Sequence, residues 1–309
     1  MEADSLPETQ RRPTLLHRLE QAALLSLVGL TSLLGTERSI KLGAALATLG
    51  YAPFRLRRQV AESNLRMAFP EKDTAWIRRT ARAAYAHLGR EVLATLRLPY
   101  MSRAEILDNI NITNFDVLQN AARENNGGII VTGHVGTHEI AAAAMVLHGF
   151  PLDLVVQRQG NPLFDRLLND TRKRFGVGVI DRAHARRFVM RSLKQRRFVA
   201  FAADQNAGRS GLFVPYFGRL ASTHRGPALF AVRAGVPLIL AAFLRRPGGY
   251  DAYLERIDVD RTGDLDDVVY RLTAAFTARL EEVVRAHPDQ YLWLHRRWKT
   301  RPPEEPKGA

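Results

Sequence analysis

The sequence predicts an α/β fold: a mostly parallel central sheet flanked by helices, with an N-terminal membrane-associating helical segment ahead of it. Three observations lead there. Short β-rich runs alternate with helical runs through the middle of the chain, the β-rich runs are apolar on successive residues as buried strands are, and the first fifty residues place basic groups before an apolar stretch. Alternation of this kind builds βαβ units, and their crossovers put helices on both faces of a parallel sheet.

The strands come first. "GGIIVTG", "LDLVVQ", "RRFVAFAA" and "VPLILAAFL" are rich in β-branched and aliphatic residues and short enough to be strands, while "YDAYLERIDV" has the composition of an edge strand. Between them the three- and four-residue apolar spacing predicts helices near Glu139–Leu147, Pro162–Phe175, Ala183–Lys194 and Gly226–Ala234, and a longer one over Leu265–Ala286. Upstream, Trp76, Ile77, Ala81, Ala84, Tyr85, Leu88, Val92 and Leu96 mark an amphipathic helix within Glu71–Leu98, stopped by Pro99.

The N-terminal segment rests on a different signal. Arg11, Arg12, His17 and Arg18 precede an uncharged apolar stretch, Ala22–Gly35, which is shorter than the ~20 residues a spanning helix needs. No small-residue cleavage site follows, so the expectation is an uncleaved helix inserted in or lying on a membrane, against an ordinary core helix. A second apolar stretch, Leu42–Tyr51, runs into "RLRRQ" at Arg55–Gln59, a composition that suits an anionic leaflet. The division expected is a membrane-associating region over 1–60, an α/β domain over 61–301 and a disordered tail over 302–309.

Composition narrows the chemistry. Among 309 residues, 45 Lys and Arg against 31 Asp and Glu leave a net charge of +14, a field that attracts acidic proteins, anionic lipids and phosphorylated substrates. There is no cysteine, which removes disulfides, thiolate metal sites and a cysteine nucleophile. The C-terminal block, His295, Arg296, Arg297, Lys299 and Arg301, sets Trp293 and Trp298 among its charges, a mixture suited to a membrane interface; with no nucleic-acid motif present, no nucleic-acid partner is expected.

The chemistry-bearing stretch is "GGIIVTGHVGTHEIAAAAM", Gly127–Met145. In open α/β sheets ligands bind beyond the carboxyl ends of the strands, and His134 leaves a strand for a helix at such a point. With His134 on the connecting loop and Glu139 in the first helical turn, the carboxylate is expected to reach back to one imidazole nitrogen and make the other a general base. Two plainer readings stand beside this. His134 and Glu139 can be helix-terminal residues with no chemistry, or His134 and His138 can share a helix face and hold zinc with an acid.

"GHVGTHE" resembles the histidine, four residues, acid signature of glycerolipid-type acyltransferases, in the form found in the late acyltransferases of lipid A biosynthesis and their phosphatidylinositol mannoside relatives. The resemblance continues in order through "NLRMAFPE", "GRE", "RQGNPLFDRLLNDTRKRFG", "ADQNAGRSGLFVPYFGRLASTHRGPA" and "QYLWLHRRWKTRP", nearly the whole chain; Thr137, His138 and the His224–Arg225 pair depart from it. It implies catalytic residues His134 and Glu139, no cofactor and no metal. The substrate-binding candidates are Arg158, Asn161, Asp204, Gln205, Phe217, Arg296 and Arg297, with Tyr216 and Phe217 as a possible lining for an acyl slot or plain core. It further implies an acyl–acyl carrier protein donor, a phosphorylated glycolipid acceptor of the Kdo-lipid IVA type, and a place on the cytoplasmic face of the inner membrane. An acyl-CoA-dependent enzyme acting on a phosphatidylinositol mannoside or another glycolipid is the alternative within the class. A non-catalytic glycolipid-binding protein is the alternative outside it.

Overall fold

The computed structural model describes residues 12–125 and 127–303; Arg11 and the tail from residue 304 onward lie outside them. A seven-stranded sheet runs in the order β1 (Ile110–Ile112), β9 (Gly249–Arg256), β8 (Leu238–Arg246), β2 (Gly128–Thr132), β5 (Phe198–Ala202), β3 (Leu152–Val156), β4 (Gly178–Asp181). All neighbours are parallel except β8 and β9, which form an antiparallel hairpin. The run expected at an edge is β9, and β1 covers it, so the edges are β1 and β4. A separate hairpin, β6 (Leu212–Tyr216) with β7 (Arg219–Thr223), follows β5; the turn-rich, aromatic sequence there hid both strands.

The central strands are buried on both faces, which explains their unbroken apolar sequence. Along β2, Ile129 and Val131 enter one core while Ile130 enters the other; Val199 against Phe198 and Ala200 on β5, and Leu238 and Leu240 against Ile239 and Ala241 on β8, alternate likewise. The first core is closed by α8 (Ala185–Lys194), α9 (Gly226–Ala234) and α10 (Leu265–Ala286) with α2 (Arg58–Ala68) and α3 (Thr74–Arg97). The second is closed by α4 (Arg103–Asp108), α5 (Phe115–Asn125) and α6 (His138–Leu147). On α3 Ile77, Ala81, Ala84, Tyr85 and Leu96 are buried as expected, but toward the helix end the face shifts, leaving Val92 43% exposed and burying Leu93.

That shift has a cause in α1 (Leu15–Tyr51), which packs along α3. Gly43 and Gly89 meet backbone to backbone, and a Cβ on either would strike the other's carbonyl. Gly35, at φ 73°, interrupts α1; the single Ser39 hydroxyl proton is shared between the carbonyls of Thr31 (2.7 Å) and Gly35 (2.6 Å), and Arg97 donates to Thr31 as well, so side chains serve carbonyls that the break frees. No described helix is long and apolar enough to cross a membrane. Residue 60, the boundary anticipated between regions, falls inside α2.

Candidate active site

The parallel register of β2 with β5 sets up the site. Thr132 pairs with Ala202, and two residues further along each chain stand His134 and Asp204. Adjacent parallel strands end on the same edge, so their exit loops meet. His134 Nδ1 lies 2.6 Å from Asp204 Oδ1, and the His134 backbone N–H donates to Asp204 Oδ2 at 2.9 Å. Leu292 N–H donates to the His134 carbonyl at 3.1 Å, and Val135 bridges to Tyr291. Ring and backbone of His134 are therefore fixed from both sides.

The pairing sets the tautomer. A carboxylate on Nδ1 requires the proton there, which leaves Nε2 the unprotonated nitrogen, accepting from the Gln205 amide at 3.3 Å. Burial alone depresses the His134 imidazole, but the charge of Asp204 and its hydrogen bond outweigh burial and leave it above its ordinary value. For Asp204, burial would favour the neutral acid, yet His134 and Arg297 hold it well below the usual carboxylate range. Asp204 is 2% exposed and His134 30%, so the carboxylate is sealed while the ring reaches solvent.

Glu139 is not the partner of His134, which corrects the expectation drawn from spacing. In the first turn of α6 it points across to α7 (Pro162–Arg174), where Arg172 grips both its oxygens, Nε to Oε2 at 2.9 Å and Nη2 to Oε1 at 2.5 Å. His138 does not share a metal-binding face with His134. Its Nε2 donates to the Gly133 carbonyl at 2.7 Å, and burial followed by the neighbouring His134 charge lowers its pKa. No group of three His, Cys, Asp or Glu able to hold a metal occurs among the described residues.

The turn itself demands glycine. Gly136 adopts φ 67°, and a Cβ there would run into the carbonyl of Phe243. Past it, Thr137 occupies the N-cap of α6 without capping it; its hydroxyl is buried and unpartnered, and the first-turn N–H groups have no side-chain acceptor.

The remaining expected residues divide. Arg158 leaves β3 on the same edge but two strands from β2, roughly 10 Å by strand spacing, and its guanidinium pairs with Asp181 at 2.7 Å. Asn161 caps α7 and ties it to α1 through His17 O and Glu20. Phe217 is buried in an aromatic cluster with Phe69, Tyr216, Trp293 and Trp298, which is core, not a slot. Arg297 is buried, donating to Ser222 O and Thr223 Oγ1 at 2.6 Å each, and so fastens the C-terminal block to β7 beneath Asp204. Arg296 is exposed. Sequence reasoning passed over two contributors: Arg172, hidden among the charges of α7, and His295, whose Nε2 accepts the Asn206 N–H at 3.1 Å and joins the C-terminal segment to the loop after β5.

A buried carboxylate, an imidazole with one unprotonated nitrogen and an uncapped helix start, gathered at the carboxyl edge of a parallel sheet, have the chemistry to take a proton from a hydroxyl. The sequence profile described as bacterial lipid A biosynthesis acyltransferase matches residues 9–300. The chain is similar to the lipid A biosynthesis lauroyltransferase of Escherichia coli, 27% identical over 265 residues and 85% of each chain. It is similar also to the E. coli lipid A biosynthesis myristoyltransferase, 25% identical over 84% of this chain and 81% of that one. The phosphatidylinositol mannoside acyltransferase of Mycolicibacterium smegmatis is 25% identical over 83% of each chain. A match over almost the full length defines the class as acyl transfer to a lipid. The chain belongs to the bacterial lipid A biosynthesis acyltransferase family.

Proposed function

We propose that the protein transfers a fatty acyl chain from acyl–acyl carrier protein to a hydroxyl of a phosphorylated glycolipid of the Kdo-lipid IVA type, at the cytoplasmic face of the inner membrane. The observation that carries the reading is the His134–Asp204 pair, which leaves Nε2 unprotonated, held only by the Gln205 amide, on a partly exposed ring at the carboxyl edge of the sheet. Nε2 takes the hydroxyl proton as the oxygen attacks the thioester carbonyl. The tetrahedral oxyanion forms near the uncapped start of α6, and on its collapse the C–S bond breaks and the thiolate takes the proton from the imidazolium. Asp204 holds the ring and stabilises its charged form. Glu139 enters as a positioning residue: with Arg172 it sets the first turn of α6 against α7.

The acidic carrier fits the +14 charge of the chain. Membrane contact is supported by leucines of α1 turned outward, among them Leu15, Leu19, Leu33 and Leu49, 45 to 84% exposed, and by Phe54 and Leu56 beyond its end. The test is steady-state transfer from acyl–acyl carrier protein, with acyl-CoA in parallel, to Kdo-lipid IVA and to phosphatidylinositol mannoside. Preference for the carrier donor, weakened by salt, is expected. Equal use of both donors without salt dependence contradicts the carrier assignment. Absence of transfer from either donor, with tight glycolipid binding, contradicts the enzyme.

A further inference from the structure

Between α2 and the C-terminal segment the surface opens into a cavity of about 610 Å³ lined by Arg55, Arg57, Arg58, Gln59 and Arg296, with Glu62 as its acid. A second cavity of about 310 Å³ shares Gln59, Val60 and Arg296 and adds Ser63, Asn64, Trp298 and Lys299, so the two form one groove. Glu62 offsets Arg58 and leaves the other lining arginines unmatched. Its oxygens already accept from Tyr51 at 2.9 Å, Arg58 at 2.7 Å and Arg66 at 3.1 Å. Arg57 spends one donor on the Leu294 carbonyl, whereas Arg55 and Arg296 are exposed with no side-chain partner among the described residues. Concentrating unpaired guanidinium groups in a concavity is costly without an anion to share.

The backbone agrees. Arg55 and Arg57 both stand in the left-handed region at φ 53°, a conformation side chains avoid, and α2 starts here with Arg57 at its N-cap and no side-chain oxygen on its free N–H groups. Phe54 and Leu56, 67% and 63% exposed, alternate with these arginines along the chain. A basic hollow fringed by outward apolar side chains matches the head of an amphiphile. The groove is also tied to the active site. Asn64 donates to the carbonyls of Trp293 (2.7 Å) and His295 (2.6 Å), and the same segment holds His134 through Leu292 and Asn206 through His295.

We infer that this groove binds a lipid-borne phosphomonoester, the phosphate of the glycolipid acceptor, through Arg55 and Arg296; that identity of the lipid rests on the function proposed above. Two guanidinium forks suit the terminal oxygens of a phosphate monoester better than the two of a diester.

The test uses the full chain with Arg55→Gln and Arg296→Gln combined, and Arg186→Gln with Arg191→Gln as a control of equal charge on α8. Flotation is measured on phosphatidylcholine vesicles carrying phosphatidic acid, a monoester, or phosphatidylglycerol, a diester. The wild type is expected to favour phosphatidic acid, the double variant to lose that preference by about tenfold, and the control to keep it. In transfer assays the variant's KM for the phosphorylated acceptor should rise about tenfold with kcat nearly kept, and phosphatase treatment of the acceptor should erase the difference. A variant with the wild-type lipid preference, or a control that loses it equally, overturns the site. Inorganic phosphate abolishing vesicle binding at the same concentration as the monoester lipid would make it a site for soluble phosphate and overturn the lipid assignment. If the wild type acylates no glycolipid yet the arginine-dependent preference persists, the phosphate site stands and its assignment to the acceptor falls.

Discussion

The sheet edge where β2 and β5 end and the cleft between α6 and α7 each hold one buried ion pair, and the two pairs are built differently. In the first, Asp204 is sealed at 2% exposure while His134 keeps 30% of its side chain in reach of solvent. In the second, Arg172 and Glu139 are 7% and 17% exposed and engage each other through two hydrogen bonds, with Arg172 donating also to Asn169. One pair leaves a ring nitrogen turned outward and the other turns both carboxylate oxygens to a buried guanidinium. A buried pair by itself therefore says little about chemistry; the side that remains open says more.

Breaking the first pair gives the largest expected effect. His134→Gln keeps a donor for Asp204, so the fold should hold by thermal unfolding while turnover falls by ~10²–10⁴-fold. Retention of more than a tenth of wild-type turnover would sink the assignment. Asp204→Asn should cost about 10²-fold or more, because an amide no longer fixes the tautomer or stabilises the imidazolium. Its pH profile carries the sign. In the wild type Asp204 holds the His134 pKa above its ordinary 6.5, so the acidic limb of kcat/KM lies above that value, and without the carboxylate burial dominates and the limb should move to lower pH. An unmoved limb would mean that another group titrates there.

Breaking the second pair should read out first as stability. Glu139→Ala leaves Arg172 buried and unpaired, a loss of about 3–5 kcal/mol in similar settings, measurable by urea unfolding. Glu139→Ala with Arg172→Met removes both charges and should recover most of that loss. If Glu139 acts by position alone, activity recovers in step with stability. A double variant as stable as the wild type but about 10²-fold slower would give Glu139 a chemical role and dissolve the contrast between the pairs.

These contrasts also show what the sequence could and could not reveal. The β-rich runs of β2, β5 and β8 were legible because strands buried on both faces need apolar residues in succession, that of β3 by its aliphatic content despite Asp153, and α9 and α10 because their spacing is regular. The placement of His134 at a strand exit was legible for the same reason. Its partner was not, because a spacing of five residues says which groups are near along the chain, whereas strand order decides which loops meet. Asp204 already stood among the substrate-binding candidates on a strand exit; what was missing was that β5 lies beside β2 and ends in register with it. The choice left open at Phe217, slot lining or core, and the burial of Arg297 were illegible for a related reason. An aromatic or an arginine in a motif carries no mark of its burial, and both turn inward where the C-terminal block closes over the β6–β7 hairpin.

The smallest effect concerns His224, within the electrostatic reach of Arg297 and of the first pair. Burial, then the charges of Arg182 and Arg297, pushes its pKa down to about 4, the opposite of the shift at His134. The consequences for acid stability are opposite too. A histidine raised in the fold contributes stability that is fully present below its unfolded pKa, so falling pH does not weaken the contribution of His134. A histidine depressed in the fold stays neutral while the unfolded chain takes up a proton, so stability falls as pH drops from 6.5 toward 4. His224→Gln should therefore flatten part of that fall, by roughly 2 °C in Tm between the two ends of the window, the other depressed histidines, His87, His138 and His295, and the depressed carboxylates, Asp204 and Glu62 among them, contributing to the remainder. Thermal unfolding of wild type and variant across the window measures it. Parallel curves would show that His224 is protonated in the fold without cost, and that the positive charge of Arg297 is spent on Asp204 alone.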